Sequence, residues 1–159
     1  MKIYKETFFP ICRRKKSHFK HQSIIGLGGN KGDVRKRFRH LFLYLQKQKR
    51  VYVQETSFIL QNPAFGYVEQ DDFYNAVALI QTSFGAKDFL KFLLHTEKVF
   101  KRERSFKNAP RTLDLDIIFF DNIKYKQKNL QIPHPHWAKR DSVVIPLSNL
   151  KNSIKGPYR

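Results

Sequence analysis

The sequence predicts an α+β fold, with two helices on a mostly antiparallel sheet. Three observations carry this. Two segments repeat apolar residues at helical spacing; more segments alternate or run apolar as strands do; and the helices are not strictly interleaved with the strands. A chain of 159 residues, 41% hydrophobic and 14% aromatic with 15 Phe, has the material for one compact domain with a real core and is too short for two ordinary ones.

In chain order, residues 1–20 mix aromatics and charges without a period and read as a basic N-terminal extension of uncertain order, preceding a single domain over 21–159. His21 to Leu27 reads as a short strand closing on a turn at Gly28-Gly29-Asn30. Asp33 caps a helix reaching about Lys49, because Val34, Phe38, Leu41 and Leu45 recur at helical spacing while Arg35, Lys36 and Arg39 fall elsewhere. Val51 to Leu60 alternates as a strand, and Gln61 to Asp72 is a polar loop containing Pro and Gly, long enough to suggest a function. Phe73 to Gln81 is the next strand. Ala86 to about Lys101 is the second helix, with Phe89, Leu93 and Phe100 on a stripe that Glu97 interrupts. The basic loop Lys101 to Arg111 leads into a strand within Ala109 to Asp121. A hairpin-like excursion from Lys124 to Ile132 follows, then a last apolar segment from Val143 to Leu147.

The net charge of +18 invites a nucleic-acid surface, but its distribution weakens that reading. Residues 1–50 hold 15 Lys and Arg against two acids, a net +13, and residues 51–159 hold 16 against 11, a net +5. Most of the excess precedes any candidate catalytic segment, so a basic leader and a solvated helix face explain it better. One cysteine, Cys12, excludes an intramolecular disulfide and suits a reducing, cytoplasmic setting. No apolar run approaches the ~20 residues of a membrane helix. The short FFPIC run is followed at once by four cations, the wrong order for a secretory signal.

The chemistry concentrates in APRTLDLDIIFFD. Asp114 and Asp116 are two apart, so on a strand both carboxylates face one way while Leu113, Leu115 and Ile117 face the other. Two ionised carboxylates side by side in a partly dry place repel, and one takes up a proton unless a cation lies between them. A hard divalent cation, with positions left for water and phosphate, fits; a solvated strand edge is the plain alternative. Arg102, Arg104, Lys107 and Arg111 bring cations to the same place, and guanidinium groups bind phosphate oxygens through paired donors. GLGGN fails the dinucleotide spacing because Lys31 stands where a third glycine is required, and no P-loop is present. Phe73 and Asn75 share a strand face, a ring beside an amide that suits a flat heteroaromatic ligand; a core Phe next to a satisfied Asn is the commoner case. His134 and His136 lack the further ligands of a zinc site, and no Ser or Cys occupies a nucleophile turn.

Together these residues resemble the 6-hydroxymethyl-7,8-dihydropterin pyrophosphokinase family. The resemblance runs from about Ser23 to Leu147 and rests on Gly28-Gly29-Asn30, NPAFG, FYNA, PRTLDLDI, and Pro133-His134 followed by Arg140. It implies a three-layer α/β/α fold with a ferredoxin-like core, acting as a monomer with no obligate protein partner. The implied reaction transfers pyrophosphate from ATP to 6-hydroxymethyl-7,8-dihydropterin, giving AMP. By resemblance, Asp114 and Asp116 hold two Mg²⁺ ions. Arg102, Arg111, His134 and Arg140 contact the phosphates, with Arg104 beside them, while Ile117 lines the adenine pocket and Glu97 marks its floor. Asn62, Pro63, Phe65, Phe73 and Asn75 surround the pterin, Phe73 by stacking.

The sequence departs from the family pattern in places. Phe73 replaces the usual tyrosine, Lys107-Asn108 stands where Arg-Trp is common, and Ser142 falls where a second stacking Phe is expected; Trp137 is the nearby ring able to substitute. Two rival readings are a small basic RNA- or DNA-binding module and an inactive relative that binds the ligands without turnover.

Overall fold

The computed structural model describes residues 1–64, 69–103, 106–152 and 154. Its main sheet contains β1 (Lys2–Tyr4), β2 (Ile11–Cys12), β3 (His21–Gly29), β4 (Val51–Thr56), β5 (Ile59–Asn62), β6 (Phe73–Thr82) and β7 (Asp114–Phe120). Every pairing is antiparallel. β3 is central, between β6 and β7, and β4 and β5 share the outer side of β6, with β2 on β4 and β1 on β5. Helices α1 (Val34–Gln46) and α2 (Ala86–Val99) join β3 to β4 and β6 to β7, which makes the core a ferredoxin-like βαββαβ unit. A separate hairpin pairs β8 (Tyr125–Gln127) with β9 (Leu130–Ile132).

The two faces of the sheet are covered differently. Phe38, Leu41 and Leu45 of α1 and Phe89 and Leu93 of α2 pack on Ile25, Leu27, Ala78, Leu115 and Ile117. On the opposite face α3 (Asp141–Asn149) lays Val143 and Leu147 on Ile24, Val77, Leu79 and Ile118. The result is the expected three-layer α/β/α fold. Asp33 caps α1 by accepting the Lys36 N–H at 3.1 Å, as its position suggested.

Four expectations are corrected. The last apolar segment is a helix, so the described residues contain three: its brevity, Pro146 and the β-branched Val143, Val144 and Ile145 hide it. The strand expected from Val51 to Leu60 breaks at Ser57-Phe58, where the Ser57 hydroxyl accepts the Val77 N–H at 2.9 Å in place of a ladder carbonyl. Gly28 and Gly29 belong to β3 rather than to a turn. Finally, the N-terminal segment is ordered against the sheet. β1 and β2 are paired strands, Phe9 is 1% exposed against Phe38, and Arg13 donates to the Val53 carbonyl and lies over the Tyr52 ring, 4.5 Å from its centroid. Lys16 Nζ lies over Tyr52 at the same distance, so part of the basic run is used internally.

The burial of Phe9 can be tested directly. Phe9→Ala is expected to destabilise the protein by about 3–5 kcal/mol in denaturant unfolding, as for a core aromatic. A disordered extension would give a change near zero.

Candidate active site

α3 covers only part of its face, and the site lies on the uncovered end of the sheet. The strand register builds it row by row. Asp114 of β7 is opposite Gly28 of β3, which is opposite Asn75 of β6; in the next row Asp116 is opposite Gly26, which is opposite Val77. Cross-strand partners project to the same side, so both carboxylates, both glycines and Asn75 face one way, on the side of Val77 and Ile118. The glycines make the floor. A Cβ on Gly28 would come 2.8 Å from Asn75 Oδ1, and one on Gly26 would meet Ile118 at 3.4 Å.

Asp114 is held by two cations. Arg102 Nη1 donates to its Oδ1 at 3.1 Å and Arg111 Nη1 to its Oδ2 at 3.3 Å. The Arg102 side chain is only 8% exposed, and the same nitrogen also reaches the Leu113 carbonyl at 3.0 Å and Glu97 Oε2 at 3.4 Å. Glu97, buried at the end of α2, accepts the Leu115 N–H at 2.8 Å. Its break in the apolar stripe is thus the attachment of α2 to the aspartate strand.

Asp116 has a different environment. Burial, then the negative charges of Asp114 and Glu97, push its carboxyl up to about 7, and Arg140 and Arg102 only partly oppose them. Beside it His134 is driven the other way, to about 4, by burial and by the positive charges of Arg140 and His136. Near neutral pH this imidazole is uncharged, able to accept or donate one hydrogen bond.

Two adjoining clefts collect these groups. One, of about 320 Å³, is lined by Asn62, Pro63, Phe73, Asn75, Arg111 and Asp114, with Arg140 and the first residues of α3 on its far side. The other holds Asp114, Asp116, His134, Arg140 and Ser142 over the glycine floor. Asn75 Nδ2 donates to Asn62 Oδ1 at 2.6 Å, which fixes one amide relative to the other, and the Arg111 guanidinium lies 5.4 Å from the Phe73 centroid. Arg102 and Arg111 also line a third cleft under the basic loop, with Lys107.

The structure therefore brings together Asn62, Pro63, Phe73, Asn75, Arg111, Asp114, Asp116, His134 and Arg140. Ile117 it places elsewhere, 4% exposed in the core beneath α1 and α2, and the carboxylate of Glu97 faces Arg102 and the Leu115 amide. Phe65 and Arg104 lie outside the described residues. Trp137 does not substitute for the missing ring, since it packs edge-on against Phe119 at 5.0 Å beside α3. Sequence reading missed Lys139 and Asp141, and noted Ser142 only as a position without its expected ring. Asp141 and Ser142 form the first turn of α3, whose leading N–H groups lack intrahelical acceptors and suit an anion; recognising the helix would have exposed that role.

The donor set fits magnesium. Two same-side carboxylates, one of them pushed to keep its proton by burial and then by its neighbour's charge, are what a hard cation relieves. Among the described residues no group of three acidic, His or Cys side chains gathers.

Paired carboxylates bordered by guanidinium groups, a neutral imidazole and a helix N-terminus define an enzyme that manipulates phosphates. The comparisons narrow this class. The family model for 7,8-dihydro-6-hydroxymethylpterin-pyrophosphokinase matches residues 24–152. A 2-amino-4-hydroxy-6-hydroxymethyldihydropteridine pyrophosphokinase of Campylobacter jejuni is 46% identical over 143 residues, 90% of this chain and 91% of the relative. The proteins of the same name from Helicobacter pylori and Aquifex aeolicus are 38% and 31% identical, over 92% and 85% of this chain and 91% and 84% of theirs. The chain belongs to the 7,8-dihydro-6-hydroxymethylpterin-pyrophosphokinase family.

The opposed titrations give a stability test. Between about pH 4 and 7 the native Asp116 keeps a proton that the unfolded chain has released, so its contribution to stability falls as pH rises. His134 acts oppositely between about 4 and 6.5, because the unfolded chain holds the extra proton. Asp116→Asn removes the first effect alone. With a chelator present, the variant should gain on the parent as pH rises, reaching roughly 5–10 °C in Tm at pH 8, and the gain should vanish near pH 4.

Proposed function

We propose that this chain transfers the terminal pyrophosphate of ATP to the hydroxymethyl group of 6-hydroxymethyl-7,8-dihydropterin, giving AMP and the pterin diphosphate of folate biosynthesis. What carries the reading is the pair of same-side carboxylates at Asp114 and Asp116, in register with a glycine floor and bordered by Arg111, Arg140 and His134. Family membership supplies the two substrates.

Asp114 and Asp116 would hold Mg²⁺, as two ions, which when bound offsets the charge of the ATP phosphates and favours ionisation of the attacking hydroxyl. The residues of the chain do the rest. Arg111 and Arg140 hold phosphate oxygens and stabilise the migrating pyrophosphoryl group, and Arg102 joins them along the cleft it shares with Arg111. Arg102 also positions Asp114, to which its guanidinium is bonded. His134, uncharged, gives a hydrogen bond to the phosphates without repelling Arg140. Phe73 stacks on the pterin and the amides of Asn62 and Asn75 read its polar edge. Pro63 and Phe65 border it and Arg104 contributes from the basic loop, while Ile117 and Glu97 act from within the fold, Glu97 by holding Arg102 and the Leu115 amide. The hydroxyl attacks in line at the β-phosphorus with no covalent enzyme intermediate. We place the enzyme in the cytoplasm as a monomer; its lone Cys12 suits that setting, and no helix among the described residues is long and apolar enough to cross a membrane.

Incubation with ATP, Mg²⁺ and the reduced pterin alcohol should release AMP and form the diphosphate ester; absence of AMP would overturn the assignment. Asp114→Asn and Asp116→Asn should each lower turnover at least about a hundredfold. Their stabilities should diverge. Asp114→Asn deprives Arg102 of one of its two carboxylates and should cost about 1–3 kcal/mol, whereas Asp116→Asn should stabilise at pH 8.

A further inference from the structure

The register of the edge strands extends the site beyond any motif. Lys2 of β1 is opposite Gln61 of β5, and Asn62 is opposite Phe73 of β6. One step back along β1, Met1 comes opposite Asn62, so Met1, Asn62 and Phe73 form a row across three strands. Such a row projects to one side of a pleated sheet. It is the side of Asn75 and Asp114, which occupy the adjoining row. Met1 accordingly lines the cleft of Asn62, Pro63, Phe73 and Arg111. It is 69% exposed, and Ile3, two residues on, is 55% exposed, an unusual use of two large apolar side chains on a short edge strand.

The chemistry of the cleft gives Met1 a purpose. A flat heteroaromatic ligand has two apolar faces, yet Phe73 is the one ring among the described residues lining this space, and Trp137 packs on Phe119 instead. The remaining apolar lining is Pro63, Ala64 and Met1. A thioether on three rotatable bonds adapts to a ring face and makes a favourable sulfur–aromatic contact.

We propose that Met1, set opposite Asn62 by the register of β1, is a pterin-contacting residue, covering ring surface that Phe73 leaves open. The inference rests on the assignment of this cleft to the pterin. Met1 lies on the pterin side of the site, so it acts on pterin affinity and leaves the transfer step and the nucleotide alone.

The sequence holds one methionine, so protein labelled with [methyl-¹³C]methionine gives one methyl resonance from the full chain. Titration with 6-hydroxymethyl-7,8-dihydropterin, in the presence of Mg²⁺ and a non-transferable ATP analogue, should move that resonance upfield along the same saturation curve that calorimetry gives for the pterin. The nucleotide alone should leave it in place. Pterin binding by calorimetry with an unmoved methyl would overturn the role of Met1 while sparing the enzyme assignment; no pterin binding at all would end both. In a Cys12→Ser background, peroxide oxidation of Met1 to the sulfoxide should raise the pterin KM by about three- to tenfold, with kcat and the ATP KM within about twofold. Methionine sulfoxide reductase should restore it. Unchanged pterin KM after complete oxidation would also refute the proposal.

Discussion

The nearly buried guanidinium of Arg102 ties the fold to the site. It meets Glu97 from the end of α2, Asp114 from β7 and the Leu113 carbonyl between them, so one cation fastens the helical layer to the strand that carries the carboxylates. A charge this dry survives only when paired and hydrogen-bonded, which explains a glutamate on the buried face of an amphipathic helix. The same arrangement divides the two aspartates. Asp114 has its cations, and Asp116 is left with the burial and the repulsion. A pair identical in sequence thereby becomes unequal in chemistry.

The rest of the site follows from how the sheet is covered. α1 and α2 shield one face along its length, while α3 shields the other over Val77, Leu79 and Ile118 and begins at Asp141. Beyond that point the sheet is open, and β3 has glycines where side chains would fill the space. The far end of α3 is anchored by Glu55, whose carboxylate accepts the backbone N–H groups of Lys151 and Asn152 at 2.6 and 2.9 Å. The helix that presents Ser142 to the cleft is therefore held at its far end.

Much of this was legible in the sequence, for identifiable reasons. α1 and α2 have long stripes and, for α1, a capping aspartate, so local and tertiary preferences agree. Asp114 and Asp116 were legible because a two-residue spacing has one meaning on a strand. α3 was not, because nine residues with Pro146 and three β-branched neighbours look like a strand fragment until the opposite sheet face is known to need covering. Gly28 and Gly29 read as a turn because glycine signals freedom locally; only the pairing of Gly28 with both Asn75 and Asp114 reveals a requirement for space. The N-terminal segment has no period, since β1 and β2 are three and two residues long and rely on partners some fifty residues away. Trp137 was near in sequence to the expected ring position, yet its side of the chain faces Phe119.

Arg111 has a double engagement: one nitrogen on Asp114, and the guanidinium plane above Phe73. Under the proposed function those two partners belong to different guests, the metal-bound nucleotide at the carboxylate and the flat ring at the aromatic. A shift of Arg111 from Asp114 onto a phosphate oxygen would then also change what lies over Phe73, so one side chain would give the two binding events a means of mutual influence.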